Sequence, residues 1–151
     1  MSAEKYRDNV CAVIRGKSDD SVCVFHRKDF PPDSGWQFPQ GGINPEKDLI
    51  DELKRELREE IGIDEVSVIA VSPNSYYYDF PPDIPRKHKG YRGQRQQWVL
   101  LELQSAEVRF TFEECAEFDE YQWVTAHEAL RRIVPFKKKV YREALHDLNL
   151  I

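Results

Sequence analysis

Long apolar runs are missing from this sequence: nothing approaches the roughly 18 residues needed to cross a bilayer. The opening MSAEKYRDN also lacks the apolar centre of a secretory signal, so the expectation is a soluble, cytoplasmic protein with no membrane partner. Cysteine is scarce and odd in number: Cys11, Cys23 and Cys115 stand far apart, which argues against a disulfide framework and reads as reduced core residues. None of the four histidines has the spacing of an H-E-x-x-H metal motif. Bases are outnumbered, 22 against 27 acids, for a net charge of −5. That excludes blanket attraction to a DNA duplex or an anionic membrane, and any polyanion must be caught locally. With only seven glycines and no repeat or low-complexity run, the chain is neither fibrous nor disordered.

What is present suits one compact domain over residues 1–151. Strand-like runs at Val10 to Arg15 and Ser21 to His26 form a hairpin pattern, followed by a loop from Lys28 to Asn44 carrying Pro31, Pro32, Gly41 and Gly42. Pro45 suits a first helical turn, and Leu49, Ile50, Leu53, Leu57 and Ile61 recur at helical spacing between Lys47 and Ile61, with Gly62 as the stop. Further strands are expected at Val66 to Val71, Gln96 to Glu102, Arg109 to Phe112 and Tyr121 to Val124, with a long basic loop from Asp79 to Arg95. Thr125 and Glu128 have capping-box spacing ahead of a short helix, and Phe136 to Leu148 reads as a closing helix. This order predicts a mixed central sheet with helices on its faces, an α/β (α+β) sandwich.

The first helix carries the chemistry. At 100 degrees per residue, with Leu53 at zero, its apolar residues span an arc of about −40 to +80 degrees, yet Glu56 falls near −60 and Glu60 near −20. Half-buried carboxylates need compensation, and Glu56, Glu59 and Glu60, three and four residues apart, converge on one flank. A hard divalent cation such as magnesium would relieve their repulsion. Spacing alone is equally compatible with a solvated helix of surface ion pairs.

The segment GGINPEKDLIDELKRELREEIGI, Gly41 to Ile63, resembles the Nudix box, G-x5-E-x7-R-E-U-x-E-E-x-G-U with U aliphatic. Gly41, Arg55, Glu56, Leu57, Glu59, Glu60, Gly62 and Ile63 fit; the first acidic position is Lys47, with Glu46 beside it. In that family the first box glutamate is a structural partner of the box arginine, so Glu46 or Glu52 is expected to substitute as the partner of Arg55. The flanking strings YRDNV, WQFPQGGINP, GQRQQW, EFDEYQWV and VPFKKKVY resemble the bacterial branch of the family that removes terminal phosphates from the 5′-triphosphate end of RNA and so initiates decay. Nearby branches hydrolyse diadenosine polyphosphates or free nucleotides, and Lys47 leaves a non-catalytic nucleotide- or RNA-binding module as the contrasting reading.

The resemblance implies a Nudix-type α/β/α sandwich and two or more magnesium ions, with manganese as a substitute. Their expected ligands are Glu56, Glu59, Glu60, Glu117 and the Gly41 carbonyl. Glu56, then Glu117, is the candidate base. Arg7, Arg27 and Lys137 are implied to hold the RNA end, and Val134 and Phe136 to line a base site. Without the resemblance, Glu117 is a carboxylate in an acidic loop, Phe136 a core residue and Lys137 to Lys139 a charged helix start. The run from Arg86 to Arg95 is equally a loop closing over RNA or a solvated surface, and Tyr76 to Tyr78, alternating on a strand, offer one or two rings to a base.

Overall fold

The computed structural model describes residues 5–17, 20–82 and 90–151. Strands β1 (Lys5–Arg15), β2 (Val22–Arg27), β3 (Trp36–Gln37) and β4 (Gln40–Gly42) precede helix α1 (Leu49–Ile61). Then come β5 (Val66–Asp79), β6 (Tyr91–Leu103), β7 (Phe118–Val124), α2 (Ala126–Arg132), a 3-10 turn (Pro135–Lys137) and α3 (Lys138–Asp147). The seven strands form one sheet in the order β3-β2-β1-β6-β5, with β4 on β1 and β7 on β2. β1 and β6 run parallel and the other pairings are antiparallel, so the expected mixed sheet with helices is present.

Alternation along β1 builds the layers. Val10, Ala12 and Ile14 join Leu53, Leu57 and Ile61 of α1 in one core, while Cys11 and Val13 join Trp98 and the α3 residues Val140, Tyr141 and Ala144 in the other. Neighbouring positions of a strand thus serve opposite faces, and α1 packs on one face with α2 and α3 on the other. In the second core Phe38 stacks on Tyr141, ring centroids 5.1 Å apart, and the Tyr141 hydroxyl accepts the Phe38 N–H at 3.0 Å.

Several sequence expectations need correction. Helix α1 starts after an Asp48 cap whose carboxylate accepts the Asp51 N–H, and Pro45 belongs to the preceding loop. Gly62 ends it at φ 75°, a left-handed conformation that costs glycine little. Residues 108–113 are irregular and form no strand; Phe110 still enters the core against Phe25 and Tyr121, and the Thr111 N–H donates to the Ile61 carbonyl at 3.0 Å. Strand β5 runs past the expected Val71 end as far as Asp79, β6 begins at Tyr91 and takes the last five residues of the expected basic loop, and residues 83–89 of that loop lie outside the described residues. Cys11 and Cys23 are buried as expected, whereas Cys115 is exposed. Thr125 caps α2 by accepting the Glu128 N–H at 3.0 Å. No helix among the described residues is long and apolar enough to cross a membrane.

Candidate active site

One cavity of about 410 Å³ opens between the C-terminal half of α1 and the ends of β1, β4, β5 and β6. Its acidic wall is Glu56, Glu59 and Glu60 from α1 with Glu117 from the loop before β7. The wall is built locally. Leu53, Leu57 and Ile61 bury one stripe of α1, which turns the adjacent flank carrying Glu56 and Glu60 toward β4. Glu60 Oε2 accepts the Glu117 N–H at 2.9 Å, tying the acidic loop to the helix.

Burial sets the electrostatics of this wall. The Glu56 carboxyl is pushed up to about 7, first by loss of solvent and then by the charges of Glu59, Glu60 and Glu117, against the pull of Arg55. Glu60 is raised by the same two causes, opposed by its bond from Glu117. Gly41 faces Glu56 so closely that a Cβ there would fall inside the carboxyl group, and a Cβ on Gly42 would fall inside the Arg7 guanidinium. The two glycines therefore let the backbone approach both walls at once.

Anchoring at the head of the helix answers the Lys47 question. Glu52, 7% exposed, accepts the Asn44 N–H at 2.8 Å through Oε1 and the Arg55 Nε–H at 3.1 Å through Oε2. Those bonds, the backbone one first, hold its carboxyl below the usual range. Arg55 then reaches Glu59 with Nη1 at 3.3 Å and Glu56 with Nη2 at 3.4 Å. Glu46 is exposed and gives its own N–H to Asn44 Oδ1, so Glu52 is the partner.

The opposite wall is basic and aromatic, and it is assembled from distant segments: Arg7 of β1, Arg27 at the end of β2, and Phe136 and Lys137 of the 3-10 turn. Arg7 donates to Gln94 Oε1 at 3.5 Å, at the long limit of a hydrogen bond. Arg27 Nε is buried without a hydrogen-bond partner among the described residues, while its Nη2 lies 4.0 Å from Asp29 and its guanidinium sits 5.5 Å from the centre of the Phe30 ring. The Lys137 ammonium lies 5.6 Å from the Tyr78 ring centre and 5.9 Å from that of Phe136, and burial pulls its pKa down to about 8. Phe136 is half-buried, packed against the core while lining the cavity. Val134 is 39% exposed just before the 3-10 turn and is outside the lining. Lys138 points away, bonding the Leu130 and Arg131 carbonyls at the end of α2.

Sequence reasoning missed a polar floor. Asn9, Gln40 and Gln94 line the cavity together with the aromatic Tyr78 and Phe80, of which Tyr78 is among the residues expected to offer a ring to a base, and buried Gln96 beneath donates to Asn9 Oδ1 at 2.9 Å and Gln40 Oε1 at 2.7 Å while accepting the Trp98 indole N–H at 3.1 Å. The available signal was the period of two in GQRQQW, which puts Gln94, Gln96 and Trp98 on one face of β6. Of the three tyrosines, Tyr78 lines the cavity, Tyr76 is buried, and Tyr77 is 52% exposed.

The four carboxylates that line the cavity supply oxygen donors of the kind a hard divalent cation takes. Among the described residues no three metal-binding side chains close on one point. Magnesium retains several waters and uses few carboxylates, so it does not require such a cage.

A mixed sheet between helices, with a glycine-flanked acidic helix at its cavity, defines a class, and residues 5–144 match the NUDIX domain. The chain belongs to the Nudix family of hydrolases, whose members generally use divalent metal ions. It is 37% identical over 146 residues to the RNA pyrophosphohydrolase of Helicobacter pylori strain G27, covering 96% of this chain and 94% of that one. It is 41% identical over 143 residues to the RNA pyrophosphohydrolase of Campylobacter jejuni strain 81-176, covering 93% and 92%. In fold it is similar to the E. coli dihydroneopterin triphosphate pyrophosphohydrolase, with TM-score 0.72 at 20% identity over 97% of this chain and 99% of that one. A C. elegans Ap4A hydrolase gives TM-score 0.66 at 17% identity, covering 95% and 98%.

Proposed function

We propose that this chain, acting as a single domain in the cytoplasm, is a magnesium-dependent RNA 5′ pyrophosphohydrolase that converts 5′-triphosphate ends to 5′-monophosphate ends and so initiates RNA decay. The observation that carries the reading is one cavity with two opposed walls, four carboxylates facing Arg7, Arg27 and Lys137. The name shared by the relatives from H. pylori and C. jejuni supports the same substrate.

In this reading Glu56, Glu59, Glu60, Glu117 and the Gly41 carbonyl hold two or more magnesium ions, and manganese substitutes for them. Bound ions of this kind neutralise phosphate oxygens and activate a water for attack on phosphorus. Glu56 is the first candidate to take the proton of the attacking water and Glu117 the second. Arg7, Arg27 and Lys137, all lining the cavity, hold the triphosphate. Phe136, with Tyr78 behind it at 5.9 Å between ring centres, offers a face on which an unpaired 5′ base stacks. Val134, exposed just before the 3-10 turn and outside the cavity lining, would extend that base contact.

The test is incubation of purified protein with γ-labelled and α-labelled triphosphate RNA, with and without magnesium. Monophosphate ends that appear only with the metal are expected. Turnover of diadenosine tetraphosphate or free nucleotides but not RNA would move the assignment to those substrates, and binding without turnover at saturating magnesium would make the chain a binding module.

A further inference from the structure

Helix α1 holds an acid in a place where helices of surface ion pairs do not put one. Glu52 is in the first turn, is almost fully buried, and uses both carboxylate oxygens: one on the Asn44 N–H of the glycine loop and one on Arg55. Lys47, which replaces the acid of the box pattern, adds a favourable positive charge to Glu52. The loop thus carries a positive charge at the box position, and the carboxylate that meets Arg55 stands on the helix.

The Arg55 guanidinium meets three carboxylates, Glu52 at 3.1 Å, Glu59 at 3.3 Å and Glu56 at 3.4 Å. Two of these belong to the acid wall and one does not. Without Glu52, the anions left to Arg55 in this group are Glu56 and Glu59, and a guanidinium drawn fully onto them competes with a divalent cation. Loss of Glu52 also frees the Asn44 end of the segment that presses Gly41 onto Glu56.

We propose that Glu52 is a positioning residue: it restrains Arg55 and the Gly41–Asn44 segment so that Glu56 and Glu59 remain available to metal. The proposal rests on the reading of the acid wall as a divalent-cation site and needs no particular substrate.

Manganese binding to the metal-free full chain, followed by the electron paramagnetic resonance of free Mn2+, tests it, with thermal unfolding recorded alongside. Glu52→Ala is expected to weaken Mn2+ binding by about tenfold, the usual scale for a residue that orients ligands. Glu52→Gln keeps an acceptor for Asn44 and the fold but not the charge on Arg55, so it shows part of that loss with the unfolding temperature held. Lys47→Glu combined with Glu52→Ala returns a carboxylate to the loop and recovers the affinity. Unchanged Mn2+ affinity in both single variants overturns the proposal, as does a double variant that recovers nothing. If the wild type binds Mn2+ and the swap behaves as expected but RNA is not hydrolysed, the substrate assignment fails and the role of Glu52 stands.

Discussion

The two walls of the cavity are built on different principles. Three of the four acids lie within five consecutive residues of one helix, whereas the cations come from β1, β2 and the 3-10 turn, with 110 positions of sequence between Arg27 and Lys137. The acid wall is a local structure, made by helical periodicity and one loop, and its members repel one another until a cation arrives. The basic wall is a tertiary structure, made only when the sheet brings distant segments together; Arg7 and Arg27 in it are half-buried, and Lys137 is buried, which pushes its pKa down to about 8. The difference suggests a division of labour in which the local wall performs chemistry and the assembled wall reads the substrate.

The largest expected effect breaks the local wall. Glu56→Gln or Glu60→Gln should lower kcat on triphosphate RNA by roughly 10²- to 10⁴-fold, the scale of a lost acid–base group, with little change in unfolding temperature. Steady-state kinetics beside a thermal melt checks both halves. Next comes Gly41→Ala, whose added methyl occupies the space of the Glu56 carboxyl; kcat should fall about 10²-fold, as for a small misplacement of a reacting group, while KM changes little.

Lys137 sharpens the comparison from the other side. Its ammonium is present below about pH 8 and lost above it, so KM for the RNA end should rise as pH passes through that value while kcat holds. Lys137→Arg, charged throughout, should flatten the rise. Stability runs the opposite way: because burial lowers the folded pKa from 10.5, the charge costs stability below about 8 and that cost fades as pH rises. The smallest effect lies away from the cavity, where Arg131 and Arg132 hold the Glu128 carboxyl at about 2, below its ordinary 4.5. Glu128→Gln should leave activity unchanged and lower the melting temperature slightly at neutral pH. That gap is present above about 4.5 and should close as pH falls toward 2.

The same contrast explains what the sequence revealed. The helix, its Gly62 stop and the convergence of Glu56, Glu59 and Glu60 follow from spacings of three and four, and they were legible. The helix start differs from the expectation because Pro45 is compatible with a first helical turn, whereas the helix begins after Asp48, whose carboxylate accepts the Asp51 N–H. Arg109 to Phe112 reads as a strand because Phe110 and Phe112 alternate, but Phe110 packs against the core without joining a ladder. The polar floor was overlooked because glutamines such as Gln40 and Gln96 carry no periodic hydrophobic signal; their partners lie 56 and 87 positions apart. Choosing Glu52 over Glu46 required knowing which carboxylate the helix turns toward Asn44 and Arg55.

The division of labour is tested most directly by Mn2+ titration of the wild type, Glu60→Gln and Lys137→Met under one set of conditions. The account predicts that Glu60→Gln weakens the metal by about tenfold or more, while Lys137→Met leaves it within about twofold, since only the first removes an oxygen ligand. Equal losses in the two variants, or no loss in Glu60→Gln, would contradict it.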